Sequence, residues 1–257
     1  MDIAELRKRV EDIAWFHQFE VVPGVSTRGV YEPSAHLERA RIPEHLEGKS
    51  VLDIGAWDGY FSFEAEERGA ARVLATDSWA WQGRSPLPFK PGNPDPQFGS
   101  KRGFELVREV RESKVEDCEV DVMDLDPAEI GTFDLTIFLG VLYHLKNPVE
   151  ACERVASVTS GTAIVETVTD QLFSRHPAAA FYPADEQWGD ESNWWGTNIA
   201  CTVGMLKAAG FSRVDVVWNP GVLHRLGSWA KARAAGDKRP MIRSIQQGRA
   251  VFHAHKR

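Results

Sequence analysis

A short apolar run at residues 49–54 (KSVLDI) stops at Gly55, and a helix-like segment begins at Gly59. No other stretch constrains the fold as tightly. Apolar runs of this length, bounded by glycine and without helical periodicity, read as strands buried on both faces. The same order recurs downstream. Residues 59–68 read as a helix closed by Gly69, and 72–76 (RVLAT) as a strand ending at Asp77. A helix over 104–112 and strands at 115–120 and 133–139 (FDLTIFL) follow. Asn147-Pro148-Val149-Glu150 reads as a helix start with Asn as cap and Pro at the first position, and 162–167 (TAIVET) as a strand. Alternating strands and helices predict an α/β fold, its mostly parallel sheet built from right-handed crossovers. A helix over 199–209 and strands at 214–218 and 250–253 bring the sheet to seven strands, with helices on both faces.

The remaining segments decorate this core. Ile3, Leu6, Val10, Ile13 and Ala14 predict an amphipathic helix over 3–16, before an aromatic stretch (Trp15 to Glu20) broken at Pro23-Gly24 and Gly29. Residues 83–103 contain Pro86, Pro88, Pro91, Pro94 and Pro96, the composition of a lid or a mobile surface loop. The chain reads as one domain, 1–257. Residues 1–48 form an N-terminal arm over the active site, 49–167 the core, 168–198 a lid insertion carrying substrate contacts, and 199–257 the last helix and strands.

Charge and cysteine content narrow the setting. No stretch approaches the roughly 18 uncharged apolar residues of a membrane helix, so no membrane insertion is expected. The N-terminus mixes charges without an apolar signal core, and Cys118, Cys152 and Cys201 lie far apart, as reduced thiols of a cytoplasmic protein do. The net charge is −7, yet residues 221–257 carry +8 and the rest −15. An acidic body argues against nucleic acid as a partner. The basic tail can meet an anionic substrate, a phosphate, or the acidic body of a second subunit in a homodimer.

The turn Asp53-Ile54-Gly55-Ala56-Trp57-Asp58-Gly59 lets backbone approach a ligand while helix N–H groups point at it. Its D-x-G-x-x-x-G spacing is not the dinucleotide fingerprint. Asp77 ends the next strand and Asp121-Val122-Met123 follows the third. With these residues the chain resembles the class I S-adenosylmethionine (SAM)-dependent methyltransferases, which have a Rossmann-like fold. The resemblance implies that Asp53, Gly55, Trp57 and Gly59 pass beneath the methionine part of the cofactor. It further implies that Asp77 and Ser78 hold the ribose, that Asp121, Val122 and Met123 hold the adenine, and that Leu139 lines the same site. Trp57 stands where the family more often has glycine.

Tyr143-His144 after the fourth strand and Val165-Glu166-Thr167 in the fifth resemble the tRNA wobble-uridine (carboxy)methyltransferase group. Trp194-Trp195-Gly196-Thr197-Asn198 is similar to a bacterial sub-branch of small enzymes in that group, including actinobacterial sugar O-methyltransferases of methylmannose polysaccharide biosynthesis. The tRNA enzymes carry a lysine-containing basic segment where residues 16–31 here hold only Arg28. Three readings stand open: an O-methyltransferase acting on a small-molecule or oligosaccharide hydroxyl, such as a partly methylated mannoside; a tRNA-modifying transferase; and a non-catalytic SAM-binding subunit. Deprotonating a hydroxyl needs a base or a metal, and His144 is the candidate base, with Tyr143 packing on the cofactor or bonding its carboxylate. Glu20, His17 and Glu166 are its candidate partners, and His144, Glu20 and Glu166 together are a candidate Mg²⁺ set. Trp194, Trp195 and Asn198, near Trp188, Asp190, Glu191 and Asn193, are the candidate acceptor contacts, aromatic faces stacking on a sugar while polar groups take its hydroxyls.

Overall fold

The computed structural model describes residues 2–83, 99–236 and 239–257; the prolines of the expected lid, with Asp237 and Lys238, lie outside them. The arm begins with helix α1 (Ile3–Glu11), ending five residues before the expected boundary. Trp15 turns back there and donates its indole N–H to the Val10 carbonyl at 2.8 Å, occupying one of the acceptors that end a helix. A hairpin of β1 (Glu20–Val22) and β2 (Val25–Ser26) and a short helix α2 (Ser34–Ala40) complete the arm.

The core then runs β3 (Ser50–Ile54), α3 (Tyr60–Glu67), β4 (Arg72–Thr76), α4 (Arg102–Arg111), β5 (Glu116–Cys118), α5 (Pro127–Ile130), β6 (Phe133–Leu139), α6 (Pro148–Ser157) and β7 (Thr159–Thr169). Asn147 precedes α6, with Pro148 at its first position, but the Asn147 side chain makes no capping hydrogen bond. The insertion holds two short strands, β8 (Ala179–Phe181) and β9 (Trp195–Thr197). After it come α7 (Ile199–Ala208), β10 (Arg213–Trp218), α8 (Val222–Ala234), α9 (Met241–Gln246) and β11 (Gly248–His255).

The expected seven strands form one continuous path, β10-β11-β7-β6-β3-β4-β5. From β7 to β5 every pairing is parallel, whereas β11 is antiparallel to both neighbours. Strand order reverses between β3 and β6, the place where open α/β sheets bind ligands beyond their strand ends. The insertion extends this sheet: β9 pairs with the end of β7 through Thr169 and Thr197, and β8 pairs with β9.

Alternate side chains of β3 enter different cores. Val51 joins Phe63, Phe104 and Ile137 beneath the arm's Leu6, Val10 and Trp15. Leu52 and Ile54 join Phe138, Cys152, Leu206 and Phe252 under α6 and α7. The arm is therefore part of one hydrophobic core. The basic tail, in turn, is not one solvated face. Arg225 is buried, donating to the carbonyls of Pro220, Ile245 and Gln246, and Arg249 pairs with a buried carboxylate. No helix among the described residues is long and apolar enough to cross a membrane.

Candidate active site

The turn after β3 is shaped by two glycines. Gly55 sits at φ +79°, and a Cβ there would lie 2.5 Å from Val141 Cγ2. Gly59 opens α3 at φ +80°, where a Cβ would lie 2.6 Å from the rings of Phe63 and Phe104. Both positions require the left-handed backbone and the missing side chain. Trp57 lies between them at φ +50°, a conformation that favours glycine. Its N–H donates to Asp77 Oδ2 (3.1 Å), and its carbonyl accepts from the Trp81 indole (2.7 Å). The Trp57 ring stacks on Phe16 at 4.4 Å, and Phe16 stacks on Tyr31. Trp57 is thus buried beneath the arm.

Three carboxylates converge on this turn. Asp53 is buried and accepts from Ser62 Oγ at 2.6 Å, which fixes β3 to α3. Asp77 is buried and accepts backbone N–H groups of Trp57 (Oδ2, 3.1 Å) and Ala80 (Oδ1, 2.9 Å), with those of Trp79 and Trp81 also directed at it, so it organises the turn after β3 and the loop after β4 together. Asp58, quoted in the sequence only for its spacing, proves to be the arm's anchor: Oδ2 accepts the N–H groups of Phe16 (2.6 Å) and His17 (2.8 Å). Farther along, Asp121 accepts from Met123 N–H and from Ser78 Oγ (3.1 Å), so the loops after β4 and β5 are tied together. Val122 is buried there, and Leu139, at the end of β6, is half-buried.

Burial pushes the Asp53 and Asp58 carboxyls up to about 7 and Asp77 up to about 6. Folding therefore favours their protonated forms, and stability falls as pH rises through these values. Below pH 6.5 the trend is opposed by His17 and His144, which burial lowers to about 3 and about 4 and which fold neutral. Thermal denaturation is expected to give a higher Tm at pH 6.5 than at pH 8.5, the three carboxyls outweighing the buried histidines. Asp58→Asn, which keeps an oxygen acceptor for the arm, is expected to flatten part of that slope. A wild-type Tm independent of pH over this interval would refute the assignment.

His144 closes a single 3₁₀ turn, Leu142–His144, directly after β6. Its Nδ1 meets both the Ser192 carbonyl (3.1 Å) and Ser192 Oγ (3.0 Å). Among the described residues, no group bonds to Nε2. The ring packs on Tyr143 and lies 5.5 Å from the ring of Trp79, which follows Asp77 and Ser78 by sequence. Val141, facing Gly55, starts the same segment. The glycine turn, the loop after β4 and the His144 turn thus lie against one another at the strand ends.

Beside His144 runs a buried polar chain that sequence reasoning did not assemble. Arg249 on β11 contacts both oxygens of Glu166 (3.0 and 3.1 Å) and donates to the Tyr143 hydroxyl (2.9 Å). His36 of α2 lies 3.6 Å from Glu166 on another side. Burial alone would raise the Glu166 carboxyl, yet Arg249 and His36 hold it down to about 2. Arg249 stands just before the apolar run 250–253, after Gly248, and nothing local in the sequence marks it.

Three expectations are corrected by the contacts. Glu20 is exposed on the hairpin, where its carboxylate accepts from Gly24 N–H (2.7 Å), so it joins neither His144 nor Glu166. With Glu166 already paired to a guanidinium, the donors proposed for Mg²⁺ do not fit an ion, and the described residues contain no group of three metal-binding side chains. Asn198 is likewise spent on structure. It caps α7 by accepting from Cys201 N–H (2.9 Å), accepts from Ala178 N–H, and donates to the carbonyls of Ser174 and His176. Trp194 and Trp195 do adjoin the site. Trp194 N–H donates to the Tyr143 carbonyl (2.9 Å), and the Trp195 indole donates to the Lys146 carbonyl (3.2 Å).

The strand order and the turn after β3 define the Rossmann-like fold of the class I methyltransferases. Solved structures agree. The N-terminal domain of EvdMO1, in the presence of SAH and D-fucose, superposes with a TM-score of 0.68 at 19% identity, covering 100% of this chain and 98% of that one. The cyclase SpnF superposes with a TM-score of 0.55 at 16% identity, over 99% and 93% of the two chains. No protein-family model matches the chain. Among curated relatives, the tRNA U34 carboxymethyltransferase of Pseudomonas putida (strain GB-1) is 25% identical over 206 residues, 77% of this chain and 58% of its own. That of Desulfotalea psychrophila (strain LSv54) is 24% identical over 183 residues, 68% and 50% respectively. The chain thus spans about half the length of the curated relatives it matches.

Proposed function

We propose that this protein is a SAM-dependent O-methyltransferase whose acceptor is a neutral hydroxyl compound, a small molecule or oligosaccharide such as a partly methylated mannoside. The carrying observation is His144: Nδ1 is tied to the insertion, while Nε2 bonds to none of the described residues, just after the strand end that the glycine turn adjoins. The residues present fit the cofactor. Gly55 and Gly59 allow the tight left-handed turn that would bring backbone N–H groups to the cofactor, the Asp77 carboxylate at the end of β4 would face the ribose diol, and Asp121, Val122 and Met123 would flank the adenine. Bound there, SAM supplies a methyl carbon on a cationic sulfur that takes the carbon–sulfur bonding pair as it leaves. His144 Nε2 accepts the acceptor's hydroxyl proton, and Trp194 and Trp195 offer aromatic surface beside it. The neighbour crystallised in the presence of SAH and D-fucose is consistent with a sugar acceptor.

A tRNA acceptor is the second reading, favoured by the names of the curated relatives. It needs phosphate contacts, and two arginines of the basic tail, Arg225 and Arg249, are committed to the interior. Transfer of labelled methyl from SAM to a panel of mannosides, glucosides and total tRNA separates the readings. Label in the glycosides is the expected result. Label in tRNA alone, lost when exposed tail residues such as Arg233 and Arg257 are neutralised, would establish the second.

A further inference from the structure

Ser192 Oγ, which receives the His144 Nδ1 contact, is itself bonded to Asp190 Oδ1 at 2.6 Å. The same carboxylate oxygen accepts from Ser192 N–H at 2.9 Å. Ser192 is buried, whereas Asp190 is half-buried. The loop carrying them is closed by its own bonds, Asn193 Nδ2 to the Gln187 carbonyl and Asn193 N–H to the Asp190 carbonyl. Two residues on, Trp194 clamps the catalytic turn through the Tyr143 carbonyl. Asp190, Ser192 and His144 therefore form one line from the insertion to the turn after β6.

We propose that Asp190 and Ser192 are positioning residues for His144, fixing the imidazole with its proton on Nδ1 and its lone pair on Nε2. This rests on the reading of His144 as the base. The hydroxyl of Ser192 donates to Asp190, so toward His144 its oxygen accepts, and Nδ1 must carry the hydrogen. The Ser192 carbonyl imposes the same tautomer. When the acceptor hydroxyl gives up its proton, the O–H bonding pair stays on the acceptor oxygen and the proton goes to Nε2. The ring then carries a positive charge, with Asp190 one hydroxyl away. The serine keeps its own hydrogen throughout.

The other charged groups facing His144 do not replace Asp190. Glu166 on β7 and Arg249 on β11 cancel each other at 3.0 Å, and the Tyr143 hydroxyl is held by Arg249. Asp190 has no Lys or Arg ion pair among the described residues, which leaves it as the net negative charge on the base.

Asp190→Asn and Ser192→Ala, with Ser192→Thr as the hydroxyl-retaining control, test this with two readouts. In the ¹⁵N spectrum of the ligand-free wild type, His144 is expected to be the neutral Nδ1–H form. Asp190→Asn is expected to lower its titration midpoint and mix the tautomers. In turnover, both Asp190→Asn and Ser192→Ala are expected to lose about 10- to 100-fold in kcat. Acceptor KM and cofactor binding stay near wild type, and Ser192→Thr recovers part of the loss. A wild-type His144 protonated on Nε2, or variants with unchanged kcat and titration, would overturn the positioning role. If His144→Ala itself keeps full turnover, the reading of His144 as base fails instead.

Discussion

Replacing His144 with alanine is expected to lower methyl transfer to a hydroxyl acceptor by about 10²- to 10⁴-fold, the usual contribution of a positioned general base. Cofactor binding should stay near wild type, because the contacts of the cradle belong to the loops after β3, β4 and β5. Single-turnover measurements with labelled SAM, alongside calorimetry with S-adenosylhomocysteine, separate the two effects. A near-normal kcat would remove His144 from the chemistry. The pH dependence adds a second test. Burial holds the imidazole at about 4, and its neutral form is the basic one. Activity in the free enzyme is therefore lost only as pH falls toward that value, well below the ordinary histidine range near 6.5. An acid limb at or above the ordinary histidine range would argue against a buried, neutral His144 as the base.

The parts of this site that could be read in the sequence are those made by a few neighbouring residues. Strands β4 and β6 fall at the residues their apolar runs predict, and the glycine turn and Tyr143-His144 lie at strand ends where ligands bind. Helix α8 was hidden for a physical reason. Its Val222 and Leu223 face solvent, Leu223 at 85% exposure, so hydrophobic spacing there does not report burial. Helix α2 and the β1–β2 hairpin are held by the arm's packing and are too short to show a period. Asn198 carried a local signal that was misassigned: an Asn immediately before an apolar helix is a cap first. The chain His36–Glu166–Arg249–Tyr143 had no local signal, since it joins α2, β7, β11 and the turn after β6. Only the sheet order brings those four side chains together.

The second large effect is expected at Arg249. Glu166 is fully buried, and Arg249 is its principal counter-charge. Removing one partner of such a pair leaves an uncompensated charge in the interior, at a cost of about 3–5 kcal/mol. For a domain of this size, Arg249→Met is expected to lower the Tm by roughly 6–20 °C. The double variant Arg249→Met, Glu166→Gln removes both charges and is expected to recover much of the loss. The electrostatic origin has its own signature in pH. In the wild type the Glu166 carboxyl is held down to about 2, so its stabilisation is full above its ordinary value near 4.5 and disappears as pH falls toward 2. In Arg249→Met the same carboxyl loses the cation and, still buried, titrates above 4.5. On acidification that variant therefore gains a contribution from Glu166 that the wild type lacks, and the difference between them narrows from pH 7 to pH 4. A difference in Tm that stays constant across that interval would show that Arg249 acts through packing against Tyr143 and Trp188, over whose rings its guanidinium lies, and not through its charge on Glu166.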